Sequence, residues 1–105
     1  MIRVTDRIHL DESELVESFI RASGPGGQNV NKVSSAVQLR FDARGSRSLP
    51  NDVAIRLQRL AGSRLTNEGV IVITANRHRS QEMNRDDARA RLFEMIREAA
   101  NPPPP

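Results

Sequence analysis

Hydrophobic residues after position 34 follow two patterns that are typical of β-strands. Residues 35–42 alternate cleanly between apolar and polar, which predicts a strand whose buried face carries Val37, Leu39 and Phe41. Residues 70–74 form a continuous β-branched run, which favours a central strand covered on at least one face.

The first part of the chain is patterned less clearly. Residues 2–10 alternate loosely and indicate one short strand, followed by a turn or a single helical turn at 11–13. By spacing alone, residues 14–22 fit a strand or a helix. We interpret them as a strand because of the segment that follows. The apolar face of this strand would carry either Val16 with Ile20 or Leu15 with Phe19.

Two further stretches repeat apolar residues at helical spacing. The first helix is predicted to begin at Pro50, capped by Ser48 or Leu49. Its apolar stripe comprises Val53, Leu57, Leu60, Ala61 and Arg64 or Leu65. The second is predicted to begin near Ser80 and to end near residue 99, with Asp86 and Asp87 placed near the positive end of the helix dipole. Its stripe comprises Ala88, Leu92, Met95, Ile96 and Ala99.

The order of these elements, strands first and then helix, strand and helix, predicts an α+β fold. We expect a small, mostly antiparallel sheet with two helices packed on one face. A length of 105 residues supports one domain with a modest core, and its aromatic residues are few, so the core must be aliphatic. The domain is predicted to span residues 1–100, and residues 101–105 are predicted to be the proline-rich start of a C-terminal linker or tail.

A polar, glycine-rich segment at residues 21–32 separates two of the predicted strands and holds three of the six glycines. Hairpin loops normally need about two to five residues, so the extra length predicts a long projecting loop with a function of its own. A phosphate-binding P-loop does not fit, because Lys32 follows Asn31 and precedes Val33. A dinucleotide-binding fingerprint does not fit either, because Asn29 stands where its third glycine is required.

The tripeptide Gly26-Gly27-Gln28 lies within a longer run that matches a known signature. The matching residues are Arg21, Ala22, Gly24, Gly26, Gly27, Gln28, Val30, Asn31, Ser35, Ala36 and Val37. This run resembles the tip of peptide chain release factors, and residues 79–85 are similar to a second sequence of the same domain. From about residue 5 to 99, the chain resembles the small codon-independent ribosome-rescue hydrolases of the alternative ribosome-rescue factor B type.

The resemblance implies hydrolysis of the ester that joins a nascent peptide to tRNA on stalled ribosomes, with water attacking the carbonyl. The implied partners are the large-subunit peptidyl-transferase centre with its rRNA and the P-site peptidyl-tRNA, and no cofactor is implied. Gly26, Gly27 and Gln28 would be catalytic. The glycines permit close approach, the Gln28 N–H would face the developing oxyanion or the departing oxygen, and the Gln28 side chain would help to select water.

Basic and polar residues near the tripeptide are candidate RNA contacts. Arg21 and Lys32 are predicted to bind phosphates or sugars. For Ser23 and Asn31, the same role and a solvated loop base with local hydrogen bonds are equally open.

A second cluster of candidate RNA contacts lies at the junction between the last strand and the last helix. Arg77, Arg79 and Arg85 are predicted to contact ribosomal RNA, because a helix N-terminus suits phosphate. Capping of the helix by Ser80, with arginines on the surface, is compatible with that role. The arginines of the first helix are predicted to form a solvated face: Arg56, Arg59 and Arg64.

Composition and charge bear on the kind of partner and exclude several kinds of site. The formal net charge is +3 with a pI near 10.9, and almost all basic residues are arginine, which suits nucleic acid. The absence of cysteine excludes thiolate catalysis and the usual zinc sites, and His9 and His78 have no carboxylate cluster at ligand spacing, so we expect no metal. No Gly-x-Ser-x-Gly sequence marks a serine triad. Without an apolar span, signal or transit segment, we expect a monomeric cytoplasmic protein and no membrane partner.

Two other functions stay open. A non-catalytic ribosome- or rRNA-binding protein could keep the fold, although binding alone does not need an intact Gly-Gly-Gln. A peptidyl-tRNA hydrolase that works off the ribosome would need its own acid–base groups, and the segment offers none.

Stop-codon reading is not expected in so short a chain. Rescue hydrolases usually add a basic tail, so an end at Pro105 is expected of a truncated chain or a tailless relative.

Overall fold

The computed structural model describes residues 1–20 and 35–102 of the chain. These residues form the predicted α+β arrangement, with antiparallel sheets and two α-helices. The long loop predicted at residues 21–32 lies outside the described residues. Within the described ranges, no helix is both long enough and apolar enough to cross a membrane.

The N-terminal residues form a small hairpin. Strand β1 (Ile2–Arg3) pairs antiparallel with β2 (His9–Leu10), so the prediction of one strand over residues 2–10 is wrong. The chain reverses between them because polar Thr5 accepts a hydrogen bond from the N–H of Ile8 at 3.0 Å. A 3-10 turn follows at Glu12–Glu14, which confirms the predicted helical turn in this region.

The main sheet has three antiparallel strands, β3 (Val16–Ile20), β4 (Ala36–Asp42) and β5 (Val70–Ala75), in the order β3-β4-β5. The strand interpretation of residues 14–22 is therefore confirmed for Val16–Ile20, whereas Glu14 belongs to the preceding 3-10 turn and residues 21 and 22 lie outside the described residues. The central strand is β4, so the prediction that the β-branched run would be central is wrong. Strand β5 lies at the edge, where Ile71, Ile73 and Ala75 are buried and the side chains of Val70 and Val72 are only partly covered.

The strands of the main sheet differ in which residues they place on the face that meets the helices. In β4 the predicted alternation is confirmed, with these residues buried: Val37, Leu39 and Phe41. In β3 neither predicted apolar face forms, because Val16 and Phe19 are exposed. Residues directly opposite one another in an antiparallel pair share a face. Glu17 pairs with Leu39, so a carboxylate occupies the helix-facing position of this edge strand.

Two helices cover that face. Helix α1 (Asn51–Ala61) continues into a 3-10 turn at Gly62–Arg64, and α2 (Gln81–Ala100) lies against β4 and β5 with α1 packed along it. The stripe predicted for α1 is wrong at Leu60, which is exposed. The helix residues buried in the common core are Val53, Ala54, Leu57, Ala61, Ala88, Leu92, Ile96 and Ala99.

The two helices begin differently. Helix α1 begins at Asn51 with Pro50 as its N-cap and no side-chain cap, so the prediction of a cap at Ser48 or Leu49 is wrong. The Ser48 hydroxyl instead donates a hydrogen bond to the Glu14 carboxylate at 2.6 Å. Helix α2 begins as predicted.

Ser80 caps α2, and its hydroxyl oxygen accepts a hydrogen bond from the N–H of Met83 at 3.3 Å. The dipole role predicted for Asp86 and Asp87 is wrong, because both lie beyond the first turn, whose acidic residue is Glu82. Asp87 pairs instead with Arg91 one turn later, at 2.6 Å.

The C-terminal end of α2 is tied to α1. Arg56 donates from Nε to the carbonyl oxygen of Ala99 at 2.7 Å and from Nη2 to Asp52 at 2.7 Å. The prediction of a solvated Arg56 is therefore wrong, because it satisfies one of the carbonyl groups that a helix end leaves unpaired. Arg59 and Arg64 are exposed as predicted.

Candidate functional site

The glycine-rich segment connects two adjacent strands at one end of the main sheet. Ile20 is the last described residue before the segment, and Ser35 is the first described residue after it. Ile20 pairs with Ala36. The predicted catalytic and RNA-binding residues within it lie outside the described residues: Arg21, Ser23, Gly26, Gly27, Gln28, Asn31 and Lys32. The surroundings of Ser35 therefore define the part of the site that the structure describes.

A buried asparagine joins Ser35 to the loop between β5 and α2. Asn84 is fully buried, and its Nδ2 donates hydrogen bonds to the carbonyl oxygens of Ser35 and His78, each at 2.9 Å. Its Oδ1 accepts from the N–H of His78 at 2.8 Å. The Ser35 hydroxyl also donates to the carbonyl oxygen of His78, at 3.1 Å. Ser35, the first described residue after the glycine-rich segment, is thus attached to the second cluster of predicted RNA contacts.

Two of the predicted RNA-binding arginines are exposed on that loop. Arg77 and Arg79 form no ion pair or hydrogen bond with any described residue. The hydrogen bond from Arg91 lowers the pKa of Asp87, and the charge of Arg77 adds a smaller effect in the same direction. With the positive N-terminal end of α2 beside them, these guanidinium groups can bind phosphate.

The third predicted RNA-binding arginine has a carboxylate partner. Arg85 donates from Nε to Glu17 at 3.0 Å, and Arg89 donates to the same carboxylate at 2.8 and 3.1 Å. The hydrogen bond from Arg89, opposed by burial and reinforced by Arg85, lowers the pKa of Glu17. Arg85 remains 44% exposed. Its charge is therefore partly neutralised by a salt bridge, whereas Arg77 and Arg79 form no salt bridge with a described residue.

Comparison with known proteins identifies the family of this domain. Residues 3–103 match the RF-1 domain family. The chain belongs to that family. The resemblance to release factors that the residues around Gly26-Gly27-Gln28 indicated is therefore confirmed.

Three relatives show how similar this RF-1 domain is to characterised proteins. It is 51% identical over 96 residues to peptidyl-tRNA hydrolase ArfB of Pseudomonas putida, an alignment that covers 91% of this chain and 69% of that protein. It is 33% identical over 86 residues to large ribosomal subunit protein mL62 of Mus musculus, covering 82% of this chain and 42% of that protein. Peptide chain release factor 2 of Streptomyces avermitilis is 54% identical over 39 residues, which cover 37% of this chain and 11% of the factor.

Sequence reasoning missed the residues that connect the parts of the RF-1 domain site: Ser35, Asn84 and Glu17. One signal was present for Asn84, because it lies four residues before Ala88 and extends the buried stripe of α2 by one turn. A polar residue on such a stripe indicates a buried hydrogen-bonding role. In residues 1–20 and 35–102, no three metal-ligating side chains lie together as a metal site requires.

Proposed function

We propose that this RF-1 domain is a peptidyl-tRNA hydrolase that releases the nascent chain from stalled ribosomes without reading a codon. The observation that carries the proposal is the 51% identity, over 91% of this chain, to a protein named peptidyl-tRNA hydrolase ArfB. The intact Gly26-Gly27-Gln28 sequence supports it. We place the catalytic domain at residues 1–100 and regard residues 101–105 as the start of a linker or tail.

The proposed chemistry uses the backbone of the glycine-rich segment. Gly26 and Gly27 allow close approach to the ester, and the Gln28 N–H stabilises the oxyanion that forms when water attacks the carbonyl. The Gln28 side chain limits the space around the ester and so favours water over larger nucleophiles. The ribosome positions the peptidyl-tRNA and excludes bulk solvent.

The proposed partner is the large ribosomal subunit at its peptidyl-transferase centre, with peptidyl-tRNA in the P site and one copy of the domain bound. Arg77 and Arg79 are the strongest candidates for rRNA contacts, because they are exposed and form no salt bridge with any described residue. Arg85 would contribute less, since Glu17 offsets its charge. The contacts proposed within the segment rest on its sequence: Arg21, Ser23, Asn31 and Lys32.

A second function is favoured by one observation. The mouse relative is named a large ribosomal subunit protein, and it is 33% identical over 82% of this chain. The domain could therefore act as a non-catalytic ribosome-binding protein. Because binding alone does not require Gly-Gly-Gln, we rank this function below hydrolysis.

The deciding experiment is peptide release from ribosomes that carry peptidyl-tRNA in the P site, with an empty A site and no stop codon. The 105-residue chain is compared with its Gly27→Ala and Gln28→Ala variants. Each protein is also tested with a basic C-terminal tail attached, because rescue hydrolases usually add one and the alignment covers only 69% of the Pseudomonas relative. Ribosome binding is measured in parallel by co-sedimentation.

We expect Gly27→Ala to slow release by about 100- to 1,000-fold, because the added methyl group hinders close approach and so displaces the Gln28 N–H from the oxyanion, which is comparable to losing one oxyanion donor. Gln28→Ala keeps the backbone N–H and is expected to lose less. Ribosome binding without release, with or without the attached tail, would refute hydrolysis and favour the binding function.

A further inference from the structure

Two buried polar residues contact each other beside the glycine-rich segment. Among residues 1–20 and 35–102, Asn84 and Ser35 are the only polar or charged residues that are buried. They are 49 residues apart in the sequence, and the Nδ2 of Asn84 lies 2.9 Å from the carbonyl oxygen of Ser35 and 3.4 Å from its hydroxyl oxygen. A buried polar group is costly unless its partners are arranged to satisfy it, so this contact is a specific feature of the fold.

The Asn84 carboxamide holds the backbone of two chain segments at once. It binds both the N–H and the carbonyl group of His78, which fixes the peptide backbone between Arg77 and Arg79. It also binds the carbonyl group of Ser35, the first described residue after the glycine-rich segment. The hydroxyl of Ser35 closes the network by donating to His78.

Packing alone does not explain an asparagine at this position. Asn84 continues a stripe of apolar residues along α2, and an aliphatic side chain could fill the same volume but would take a hydrogen-bond partner from the backbone groups of Ser35 and His78. An aliphatic side chain could not fix the position of Ser35 relative to His78. The distinct contribution of the carboxamide is therefore orientation.

We propose that Asn84 is a positioning residue for peptide release. It joins the backbone at Ser35, the first described residue after the glycine-rich segment, to the loop that carries Arg77 and Arg79, so that the RNA contacts of this loop determine the position of Ser35 at the start of β4. The inference rests on the proposed hydrolase function and adds to it a link between RNA binding and catalysis.

The test uses variants of the full 105-residue chain. Asn84→Asp keeps the shape and the acceptor but places an oxygen where Nδ2 meets two carbonyl groups. Ser35→Ala removes only the hydroxyl. Ile96→Ala opens a cavity in the same helix, away from the network, and serves as a control for lost stability. Release is measured in a single turnover as a function of protein concentration, at a temperature at which circular dichroism shows each variant to be folded.

We expect Asn84→Asp to lower the release rate at saturation by about 10- to 100-fold, the effect of a displacement of about 1 Å in a reacting group. Ser35→Ala should lower it by about three- to tenfold, as expected for one hydrogen bond. The protein concentration at half-maximal release should change little in either variant, and Ile96→Ala should keep the wild-type rate at saturation. Acidification should partly restore Asn84→Asp, because the protonated carboxyl regains one donor.

Three results would overturn the inference. A wild-type rate at saturation in Ser35→Ala and Asn84→Asp refutes the positioning role alone. An equal loss of rate in Ile96→Ala reduces the role to stability. Absence of release by the wild-type chain refutes the proposed hydrolase, and the positioning role with it. If Asn84→Asp does not fold, Ser35→Ala decides between these results.

Discussion

Glu17 is expected to be the most important charged residue for the stability of the sheet edge. Its side chain and that of Arg89 are only 15% and 16% exposed, and Arg89 donates to it from two nitrogens. Hydrogen bonds to charged groups contribute about 1.5–3 kcal/mol. The pair with Arg85, which is 44% exposed, is screened by solvent and adds about 0.5 kcal/mol.

We therefore expect Glu17→Gln to lower the free energy of unfolding by about 2 kcal/mol at pH 7. In a domain of this size, that loss corresponds to a fall in melting temperature of about 10 °C. The measurement is urea unfolding followed by circular dichroism. Glu94→Gln is the matched control, since Glu94 is 70% exposed and lies 3.6 Å from Arg97, and we expect its cost to stay below about 0.5 kcal/mol.

The effect of Glu17→Gln should also depend on pH. The pKa of Glu17 is lowered in the folded protein, chiefly by Arg89, so its charge stabilises the fold at any pH above the unfolded value of about 4.3. That stabilisation is lost as the pH falls through the lower, folded-state pKa, and the two proteins should then unfold alike. A cost as small as that of Glu94→Gln, or one that persists unchanged in acid, would refute this reasoning.

Two further predictions concern the RNA contacts and the turn before the sheet. Arg79→Ala should weaken ribosome binding and make its logarithmic salt dependence less steep by about one unit, whereas Arg59→Ala should not; equal slopes in direct binding titrations would contradict a phosphate contact. Burial opposes ionisation of Glu14, but hydrogen bonds from Ser46, Ser48 and the Asp11 N–H outweigh it and lower its pKa. Glu14→Gln should therefore cost about 1–2 kcal/mol at pH 7 and less in acid, measured by urea unfolding, and a cost independent of pH would exclude this explanation.

The sequence predicted best those features that depend on one face of one element. The alternation in β4 led directly to its buried residues, because a two-residue period is a local property of the chain. The faces of β3 could not be predicted, because they depend on α2, whose Arg85 and Arg89 draw Glu17 to the helix side. A local pattern does not show such a contact between residues about seventy positions apart.

In the candidate site, too, local features could be predicted from the sequence and contacts between distant residues could not. The family and the tripeptide could be recognised from a contiguous run of residues, and Ser80 was identified as a cap because capping is local. The network of Asn84 was missed because its partners, Ser35 and His78, come together only when β4, the β5–α2 loop and α2 are assembled. The identity of a buried polar residue can be read in advance, but its partners cannot.

The tie between Arg56 and Ala99 gives α2 a geometric role. With 20 residues, this helix is about 30 Å long, and it is anchored at one end through Asn84 and at the other through Arg56. The helix therefore fixes the distance between its two ends, and sequence attached after Pro102 would start about a helix length from Ser35. A fluorophore or crosslinker attached there would measure distances on the ribosome from a known origin, without touching Asn84, Ser35 or His78.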